Sequence, residues 1–514
     1  MTHFSSTAAN NIPLTGQLSK GGPSRDSQQL RSHSTLIHVL DNDSLLHVFS
    51  HCRPVLLDEN EVDLLQILHG GKWNRERWWY RLVQVCRRWR YLVLDSAFHL
   101  RLSLVCTRGT PVADMLAHSP PLPLIIDHLD QNHDITAEEE EGIILALQHR
   151  DRVRRIRLLN PIAIFRKLII ALDGEFPILE HLTIHQQRYH LPVIINHNTN
   201  LKFPETFQAP HLRQLLLMNF AIPIGSTLLT TMGNLVTLSL NLIPPSTYFH
   251  PNALLQRLSL MPQLETLGIT FNNYYPSGDV GRQLLRTPIM TRITLPNLRW
   301  LGFRGASAYL EALLPWVTVP FLEKIQVYFF NQLTYSIPHL QQFMNSAGNL
   351  RLKSAALAFH DDYFHVVAFP YKGARMFTLD MELGGRHLDW HVASAAQVFH
   401  MLSTVFSAVE HLSLQYERHF TSSEWNNEAD RTQWRELLEL FNNAKTLHVL
   451  NAGAYSLTEQ LFRALQPDEG ESATALLPEL QEITYSPILD FHHAFTPFID
   501  ARQKAGRPVT LVSF

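Results

Sequence analysis

The sequence is poor in cysteine, and the few cysteines that it has cannot form a structural framework. Three occur in 514 residues, Cys52, Cys86 and Cys106, and none of them belongs to a CxxC pair. An odd and widely spaced set of this kind excludes a disulfide scaffold and a zinc site made of thiolates. Because free thiols are typical of reducing compartments, we expect the chain to reside in the cytoplasm, the nucleus or both.

Long apolar runs and an excess of one charge are also missing. No run approaches the roughly 18 apolar residues that suggest a membrane-spanning helix, and residues 1–34 lack the apolar core of a secretory signal. Lysine and arginine total 43 against 46 aspartate and glutamate residues, which gives a net charge of −3. A near-neutral chain has no overall electrostatic attraction for nucleic acid or for an anionic membrane, so we predict neither as a partner.

Sequence patterns of catalysis and metal binding are absent as well. The chain has no GxSxG or HExxH motif, and the GGKW segment at 70–73 lacks the flanking residues of a phosphate-binding loop. Three pairs of histidines stand four residues apart: His47/His51, His181/His185 and His387/His391. No third or fourth zinc ligand accompanies any pair. We therefore predict no catalytic residue, no metal site and no cofactor, and we expect a protein that is not an enzyme.

The chain does have a hydrophobic fraction of 45%, which is enough for a large core. Residues 1–34 are rich in Ser, Asn, Gln and Gly, and we predict that they form a disordered tail. A helical unit is predicted over 35–100. Its first helix lies within 36–50, where the acidic and amide side chains at 41–43 are good N-cap candidates.

A second helix of this unit is predicted after an insertion at 54–77. The segment WWYRLVQVCRRWRYLVLD, which begins at Trp78, has apolar residues at i, i+4, i+7, i+8 and i+11. These spacings are typical of one broad apolar face on a continuous helix. The residues of this face are Trp78, Leu82, Val85, Cys86 and Trp89.

A short leucine pattern recurs after residue 101. Six segments share a Pro or Gly, then LxxL or LxxI, one further residue and another apolar position. The aligned residues lie 33, 23, 29, 34 and 24 positions apart, and they are Leu182, Leu215, Leu238, Leu267, Leu301 and Ile325. Fainter copies follow at 407–414, 444–450 and 478–485. The mean spacing is at the long end of the range for leucine-rich repeats, which is about 20–29 residues.

These repeats predict an α/β solenoid over 101–514, in which short parallel strands alternate with helices. A single repeat cannot bury its apolar face alone, so neighbouring repeats stack and share one core. The asparagine expected after the strand is present in one of the six copies, which predicts an irregular solenoid. We expect polar and aromatic side chains after the strands to face a binding partner: Asn272, Tyr274, Tyr328 and Tyr416.

The predicted helical unit resembles an F-box. Leu40 stands where that family has its Leu, Asp41 stands where Pro is usual, and an aliphatic helix ending in Val48-Phe49 follows. The distal Val-Cys-Arg-Arg-Trp segment at 85–89 matches the family's second motif. The whole chain is similar to fungal F-box proteins with a degenerate leucine-rich-repeat region after the F-box.

This resemblance implies the substrate-recognition subunit of a Skp–cullin–F-box ubiquitin ligase. The F-box of such a subunit binds a Skp-type adaptor, and through it cullin, while the repeats bind a protein client of unknown identity. The residues expected to contact the adaptor are Leu40, Leu45, Leu46, Phe49, Leu82, Val85, Cys86 and Trp89. Two alternatives stay open: each of these residues belongs to the core of its own unit, or the chain is a stand-alone repeat scaffold with a decayed F-box.

Two clusters of basic residues, at 72–101 and 150–157, have more than one explanation. The first holds eight Lys or Arg against two acids, and the second holds five arginines around Asp151. One explanation is that the clusters bind an acidic or phosphorylated partner. The other is that they are ordinary solvated surfaces and C-terminal helix ends, where the helix dipole favours cations. No aromatic residues are interleaved at 150–157, which favours the second explanation over single-stranded nucleic acid.

Overall fold

The chain forms two compact units. The computed structural model describes residues 40–53, 77–129, 135–187, 202–244, 247–272, 288–330, 336–346, 352–360, 363–370, 378–384, 388–416, 430–451, 461–467, 470–485 and 492–513. One unit, here called the helical unit, contains the described residues 40–53 and 78–101. The other, the sheet unit, contains Arg77 and the described residues from Leu102 onward. The predicted tail and residues 54–76 of the predicted insertion lie outside the described residues.

Three short helices make up the described part of the helical unit: α1 (Asn42–His51), α2 (Trp78–Val85) and α3 (Arg87–Asp95). The first helix begins where the sequence predicts. An oxygen of the Asp41 carboxylate accepts a hydrogen bond from the backbone N–H of Ser44 at 2.7 Å. The same bond lowers the pKa of Asp41, because it favours the charged form of the carboxyl group.

The prediction of one continuous second helix is wrong, because the backbone is extended at Cys86, with φ −157° and ψ 170°. The sequence has neither Gly nor Pro at this break, and its apolar periodicity continues across it. The sequence pattern therefore does not reveal the break. Carbonyl groups at the end of α2 lose their helical partners at the break, and the Arg90 guanidinium donates to one of them, the Val83 oxygen, at 2.9 Å. The apolar stripe is therefore divided, and Trp79 in place of Trp78 is the buried tryptophan of α2.

The sheet unit alternates strands with helices, which confirms the predicted α/β class. Its strands are β1 (Leu104–Cys106), β2 (Leu124–His128), β3 (Val153–Pro161), β4 (His181–Gln187), β5 (Gln214–Met218), β6 (Thr237–Ile243), β7 (Thr266–Phe271), β8 (Ile293–Thr294), β9 (Trp300–Gly305), β10 (Val317–Thr318), β11 (Lys324–Phe329), β12 (Ser354–Phe359), β13 (Tyr363–Phe369), β14 (Thr378–Gly384), β15 (His411–Tyr416), β16 (Thr446–Asn451), β17 (Glu482–Tyr485) and β18 (Thr510–Ser513). Its helices are α4 (Val112–His118), α5 (Ala137–Gln148), α6 (Ile162–Ala171), α7 (Thr227–Thr231), α8 (Pro251–Leu258), α9 (Ser307–Leu313), α10 (Pro338–Ser346), α11 (Leu388–Met401), α12 (Ser403–Phe406), α13 (Asp430–Leu438) and α14 (His492–Lys504).

Sixteen of these strands form one large and mostly parallel sheet. Their order is β1-β2-β3-β4-β5-β6-β7-β9-β11-β14-β13-β12-β15-β16-β17-β18, while β8 and β10 pair separately. The aligned residues predicted from the repeats stand opposite one another as one row across this sheet: Leu182, Leu215, Leu238, Leu267, Leu301 and Ile325. The fainter copies form a row in the same way, with Leu412, Leu447 and Ile483. All of these side chains are buried, so the repeat pattern corresponds to the pairing register of the core.

The residue at or before the start of several strands fixes this register through its carbonyl oxygen. The Glu180 oxygen accepts hydrogen bonds from the backbone N–H groups of Arg213 and Gln214, at 2.8 and 3.0 Å. The Arg213 oxygen in turn accepts from Val236 and Thr237, also at 2.8 and 3.0 Å. The pattern recurs along the sheet, and it aligns the start of each strand with the start of the next.

Side chains of opposite charge also pair between these strand starts. Arg154 contacts Glu180 at 2.9 Å, and Lys445 contacts Glu410 at 2.8 Å. The Glu410 carboxylate accepts from Lys353 as well, and the two lysine hydrogen bonds lower the pKa of Glu410 to about 2. These half-buried pairs complement the backbone pattern and make one-residue slips less favourable.

Three strands interrupt the parallel alternation. Only three residues separate β12 from β13 in the sequence, and β13 runs antiparallel to β12 and β14, with Phe364 opposite Phe359. β14 then pairs with β11, and β12 pairs with β15. The prediction of uniformly parallel strands is wrong at this point, because a parallel crossover needs about a dozen residues or more.

We expect Leu267→Ala to lower the free energy of unfolding by about 2–5 kcal/mol, because it removes buried methyl groups and leaves a cavity in the core. Leu267 is 2% exposed, whereas Leu260, the matched control, is 42% exposed. Leu260→Ala should change stability by less than about 1 kcal/mol. Urea denaturation of the full chain, followed by circular dichroism, measures both values, and equal losses would contradict the assigned core.

We also expect the sheet unit to lose stability in mild acid. Burial of His128, on β2, lowers the pKa of this residue to about 4. The unfolded chain takes up a proton near pH 6.5 and the folded chain does not, so stability falls from about pH 6.5 toward pH 4, by at most roughly 3 kcal/mol. Denaturation midpoints at several pH values in this window should fall less steeply for His128→Leu. Equal slopes for the two proteins would refute the assignment.

Candidate functional site

The helical unit exposes several large apolar side chains: Leu40, Val48, Val85, Tyr91 and Phe98. Val85, at the end of α2, is 60% exposed, and Phe98, after α3, is 98% exposed. Exposed aromatic and aliphatic side chains on a small unit are typical of a surface that binds another protein. We therefore regard this surface as the first candidate site.

The residues predicted to contact an adaptor fall into three groups. Leu45 and Phe49 have no exposed surface, and the Phe49 ring packs against Trp89 with centroids 4.7 Å apart. This corrects the expectation for Leu45 and Phe49, because the core of the unit already holds their side chains. Four of the residues are half-buried, namely Leu46, Leu82, Cys86 and Trp89, while Leu40 and Val85 are exposed. Contact of these six residues with an adaptor stays a prediction.

Arg88 of α3 holds the start of α1. Its guanidinium donates to the Leu40 carbonyl oxygen at 2.6 Å and to the Asn42 side-chain oxygen at 3.0 and 3.2 Å. Arginine is suited to this task because its planar group offers several donors at fixed angles. The CRRW segment therefore positions the exposed Leu40 as well as the exposed Val85 beside it.

The second candidate site is a face of the sheet. Tyr309 of α9 packs against Phe271 and Phe303, with centroids 4.9 and 5.9 Å apart, so this helix covers the face that holds the leucine row. Successive side chains of a strand point to opposite faces. Trp300 and Tyr328 therefore belong to the other face, here called the open face, and both are half-buried.

Asn272, which was expected to face a partner, is structural. Its side chain is 7% exposed. Its backbone N–H donates to the Ile243 oxygen at 3.0 Å, and its backbone oxygen accepts from the Tyr248 hydroxyl at 2.9 Å. The expectation of client contact is corrected for this residue, because the asparagine closes the strand end and leaves almost no surface for a ligand.

The three tyrosines of that prediction have different outcomes. Tyr328 lies on the open face, where its hydroxyl accepts a hydrogen bond from the Gln326 amide. Tyr416 is the last residue of β15, and its side chain lies outside the described residues, as does the whole of Tyr274. Contact of the tyrosines with a client stays a prediction.

The centre of the open face is a tryptophan that packs on two glycines, Gly268 and Gly302, a contact that the repeat pattern did not predict. A Cβ atom on Gly302 would lie 2.2 Å from Cη2 of Trp300, and one on Gly268 would lie 3.2 Å from Cζ3. The six-membered ring of the indole therefore covers the backbone of both strands, and Gly302 has to be glycine for this contact. Neighbouring repeats with glycine at the same position, in ETLGI and RWLGF, are the signal that could have revealed it.

Polar groups surround this indole. The Asn241 side-chain amide donates to Ser239 Oγ at 3.0 Å, and Thr270 Oγ1 donates to Asn241 Oδ1 at 3.1 Å. Lys324 stands opposite Trp300, and Arg304 stands opposite Thr270. The amide and hydroxyl groups satisfy one another, whereas the two cations have no hydrogen bond or ion pair among the described residues. We call the set of Trp300, Gly268, Gly302, Arg304 and Lys324 the tryptophan platform.

Intramolecular contacts account for much of the basic clusters. In the second cluster, the Arg150 guanidinium lies 5.9 Å from the centroid of the Phe176 ring, and Arg152 donates to the carbonyl oxygens of Leu122 and Pro120. Two further arginines form ion pairs, Arg154 with Glu180 and Arg157 with Asp127. In the first cluster, Arg77 donates to the Val105 oxygen and to Thr110 Oγ1, at 3.2 and 3.0 Å. Residues 72–76 lie outside the described part of the chain. These contacts favour a structural role for the clusters.

The histidine pairs form no recognisable site within the described residues. His47 and His51 approach each other on α1, with 3.2 Å between their Nε2 atoms, and His181 and His185 lie on a strand, as predicted. His387 and the side chain of His391 lie outside the description. Where the structure is described, no group of three or more His, Cys, Asp and Glu side chains is arranged to hold a metal ion. No helix described is long and apolar enough to span a membrane.

The sequence matches no protein-family model, and no curated protein matches it. Inference about function therefore depends on the two surfaces described above.

We expect Arg88→Gln to loosen the first helix, because it removes the donors that hold Leu40 and Asn42. The loss should be about 1 kcal/mol, or roughly a fivefold rise in local amide exchange over α1. Hydrogen exchange followed by mass spectrometry measures this change. The neighbouring Arg87→Gln is the matched control, because Arg87 is exposed. Equal exchange in the two variants would show that the contacts of Arg88 do not stabilise α1.

Proposed function

We propose that the chain is the substrate-recognition subunit of a Skp–cullin–F-box ubiquitin ligase. In this proposal the helical unit is an F-box that binds a Skp-type adaptor and, through it, cullin. The sheet unit is an irregular leucine-rich-repeat solenoid that binds a protein client. The subunit is not itself catalytic and uses no cofactor, and it acts in the cytoplasm or the nucleus.

The observation that carries this proposal is the placement of the segment resembling the F-box motif. Val85 begins that segment, at the end of α2, and is 60% exposed, although valine is among the residue types that are most often buried. Leu40, at the other motif, is exposed as well, and Arg88 of the same segment holds its backbone. An apolar surface built from the two motif regions suits docking on another protein.

A second observation concerns the departure at Asp41, where the family usually has proline. Proline stiffens the start of a helix by fixing its backbone. Here the Asp41 carboxylate caps the Ser44 N–H, and Arg88 anchors the flanking residues. The start of α1 is therefore ordered by other means, which supports a working F-box despite the substitution.

The sheet unit supports the second half of the proposal. Its leucine row matches strand register, as stacked repeats require, and its open face carries aromatic and cationic groups away from the core. Repeat proteins use such extended faces to bind other proteins.

The alternative is a repeat scaffold whose F-box has decayed and which has no ligase partner. The burial of Leu45 and Phe49 favours it, because these motif residues serve the unit's own core. The long separation between α1 and α2 also favours it, since a compact F-box does not require it. Adaptor binding separates the two functions.

We expect the full chain to co-purify with a Skp-type adaptor and Val85→Asp to reduce that binding by at least about tenfold, because it places a charge in an apolar interface. Co-expression with the adaptor and quantitative pull-down measures the effect. Leu260→Asp is the matched control, since Leu260 is also an exposed apolar residue but belongs to the sheet unit. Absence of binding by the folded wild-type chain would favour the scaffold.

A further inference from the structure

The tryptophan platform has a definite spacing of chemical groups. Trp300 and Arg304 are four residues apart on β9, which separates their Cα atoms by about 13 Å. Lys324 stands beside Trp300 on the neighbouring strand, β11. Because the indole leans over Gly302, the order along the strand direction is a cation, an aromatic surface and a second cation.

The charge of the open face is positive at this point. Each of the strands β5, β6, β7, β9 and β11 contributes three positions to the open face, and the charged residues among these positions are Arg304 and Lys324. On the next strand, β14, Asp380 and Glu382 occupy the register positions opposite Gln326 and Tyr328. On β9 and β11 the open face therefore holds two cationic groups, with no acid between them.

Neither cation has a structural task that the described residues reveal. Most other arginines of the sheet unit discussed above donate to carbonyl oxygens or pair with acids. Arg304 and Lys324 are half-buried, and no described group accepts a hydrogen bond from either. Half-buried cations with open donors, next to a rigid aromatic surface, are suited to binding a carboxylate beside an apolar group.

We infer that the platform binds an extended acidic segment of the protein client. Such a segment carries two acidic side chains four residues apart, because that distance matches the spacing of the cations and brings both side chains to one side of an extended chain. An apolar side chain midway between them rests on the Trp300 indole. This inference rests on the proposed function and specifies the chemistry of its client.

A peptide fits these groups better than a nucleic acid does. Two cations neutralise two carboxylates, whereas binding to a nucleic acid depends on many phosphate contacts. The groups beside the indole, Ser239, Asn241 and Thr270, are neutral and satisfy one another, so they add no further cation for a row of phosphates. The experiment therefore also measures the binding of a nucleic acid.

The experiment measures fluorescence anisotropy of a labelled Glu-Ser-Leu-Ser-Glu peptide, flanked by Gly and Ser, with the full chain. The matched probe has Gln at both Glu positions, and a uridine oligonucleotide is the third. We expect the acidic peptide to bind at least about tenfold more tightly than its Gln counterpart, and added salt to weaken this binding. Equal affinity for the two peptides, or tighter binding of the oligonucleotide, would overturn the inference.

Variants then locate the site. Arg304→Gln and Lys324→Gln should each weaken the acidic peptide by about fivefold to tenfold, and they remove no described hydrogen bond, so folding should persist. Arg166→Gln is the matched control, since Arg166 is an exposed arginine on α6. If Arg304→Gln and Lys324→Gln both bind like this control, the assignment to the platform is wrong.

The same proteins distinguish this inference from the proposed ligase function. Val85→Asp should bind the adaptor at least about tenfold more weakly and the peptide as before, while Arg304→Gln should bind the peptide about fivefold to tenfold more weakly and the adaptor as before. Adaptor binding without any preference for the acidic peptide would overturn the inference about the client alone. A peptide preference without adaptor binding would support the platform and contradict the ligase.

Discussion

The interaction on which the sheet unit depends is a backbone carbonyl that accepts two N–H groups from the following strand. This contact recurs at the strand starts. For example, the Glu180 oxygen accepts from the backbone N–H groups of Arg213 and Gln214. Side chains alternate between the faces of a strand, so a slip by one residue would move the leucine row to the open face and the polar groups to the core. This one repeated contact therefore determines which side chains lie in the covered core and which lie on the open face.

The tryptophan platform shows how this register creates a surface that no single repeat contains. Trp300 comes from one strand, and its indole crosses the glycine of its own strand and that of the preceding one. Lys324 comes from the following strand. Parallel pairing in register brings these three contributions together, although Gly268 and Lys324 are separated by more than one repeat in sequence.

The helical unit uses polar contacts to hold a largely apolar surface in place. The extended backbone at Cys86 separates α2 from α3 and leaves Val85 exposed at the break. Arg90 satisfies a carbonyl that the break frees, and Arg88 holds the start of α1. Two arginines of the CRRW segment and its flank thus act on backbone groups, which explains how exposed apolar residues keep fixed positions without a large core.

The sequence alone determined the α/β class, the row of aligned leucines and the capped start of α1, because these depend on short spacings and on the chemistry of single side chains. The antiparallel excursion of β13, the break at Cys86 and the burial of Leu45, Phe49 and Asn272 required the tertiary structure. Hydrophobic spacing does not specify which neighbour a side chain contacts. The tryptophan platform likewise required the tertiary structure, because the Trp300 indole packs on two glycines that only strand pairing brings together.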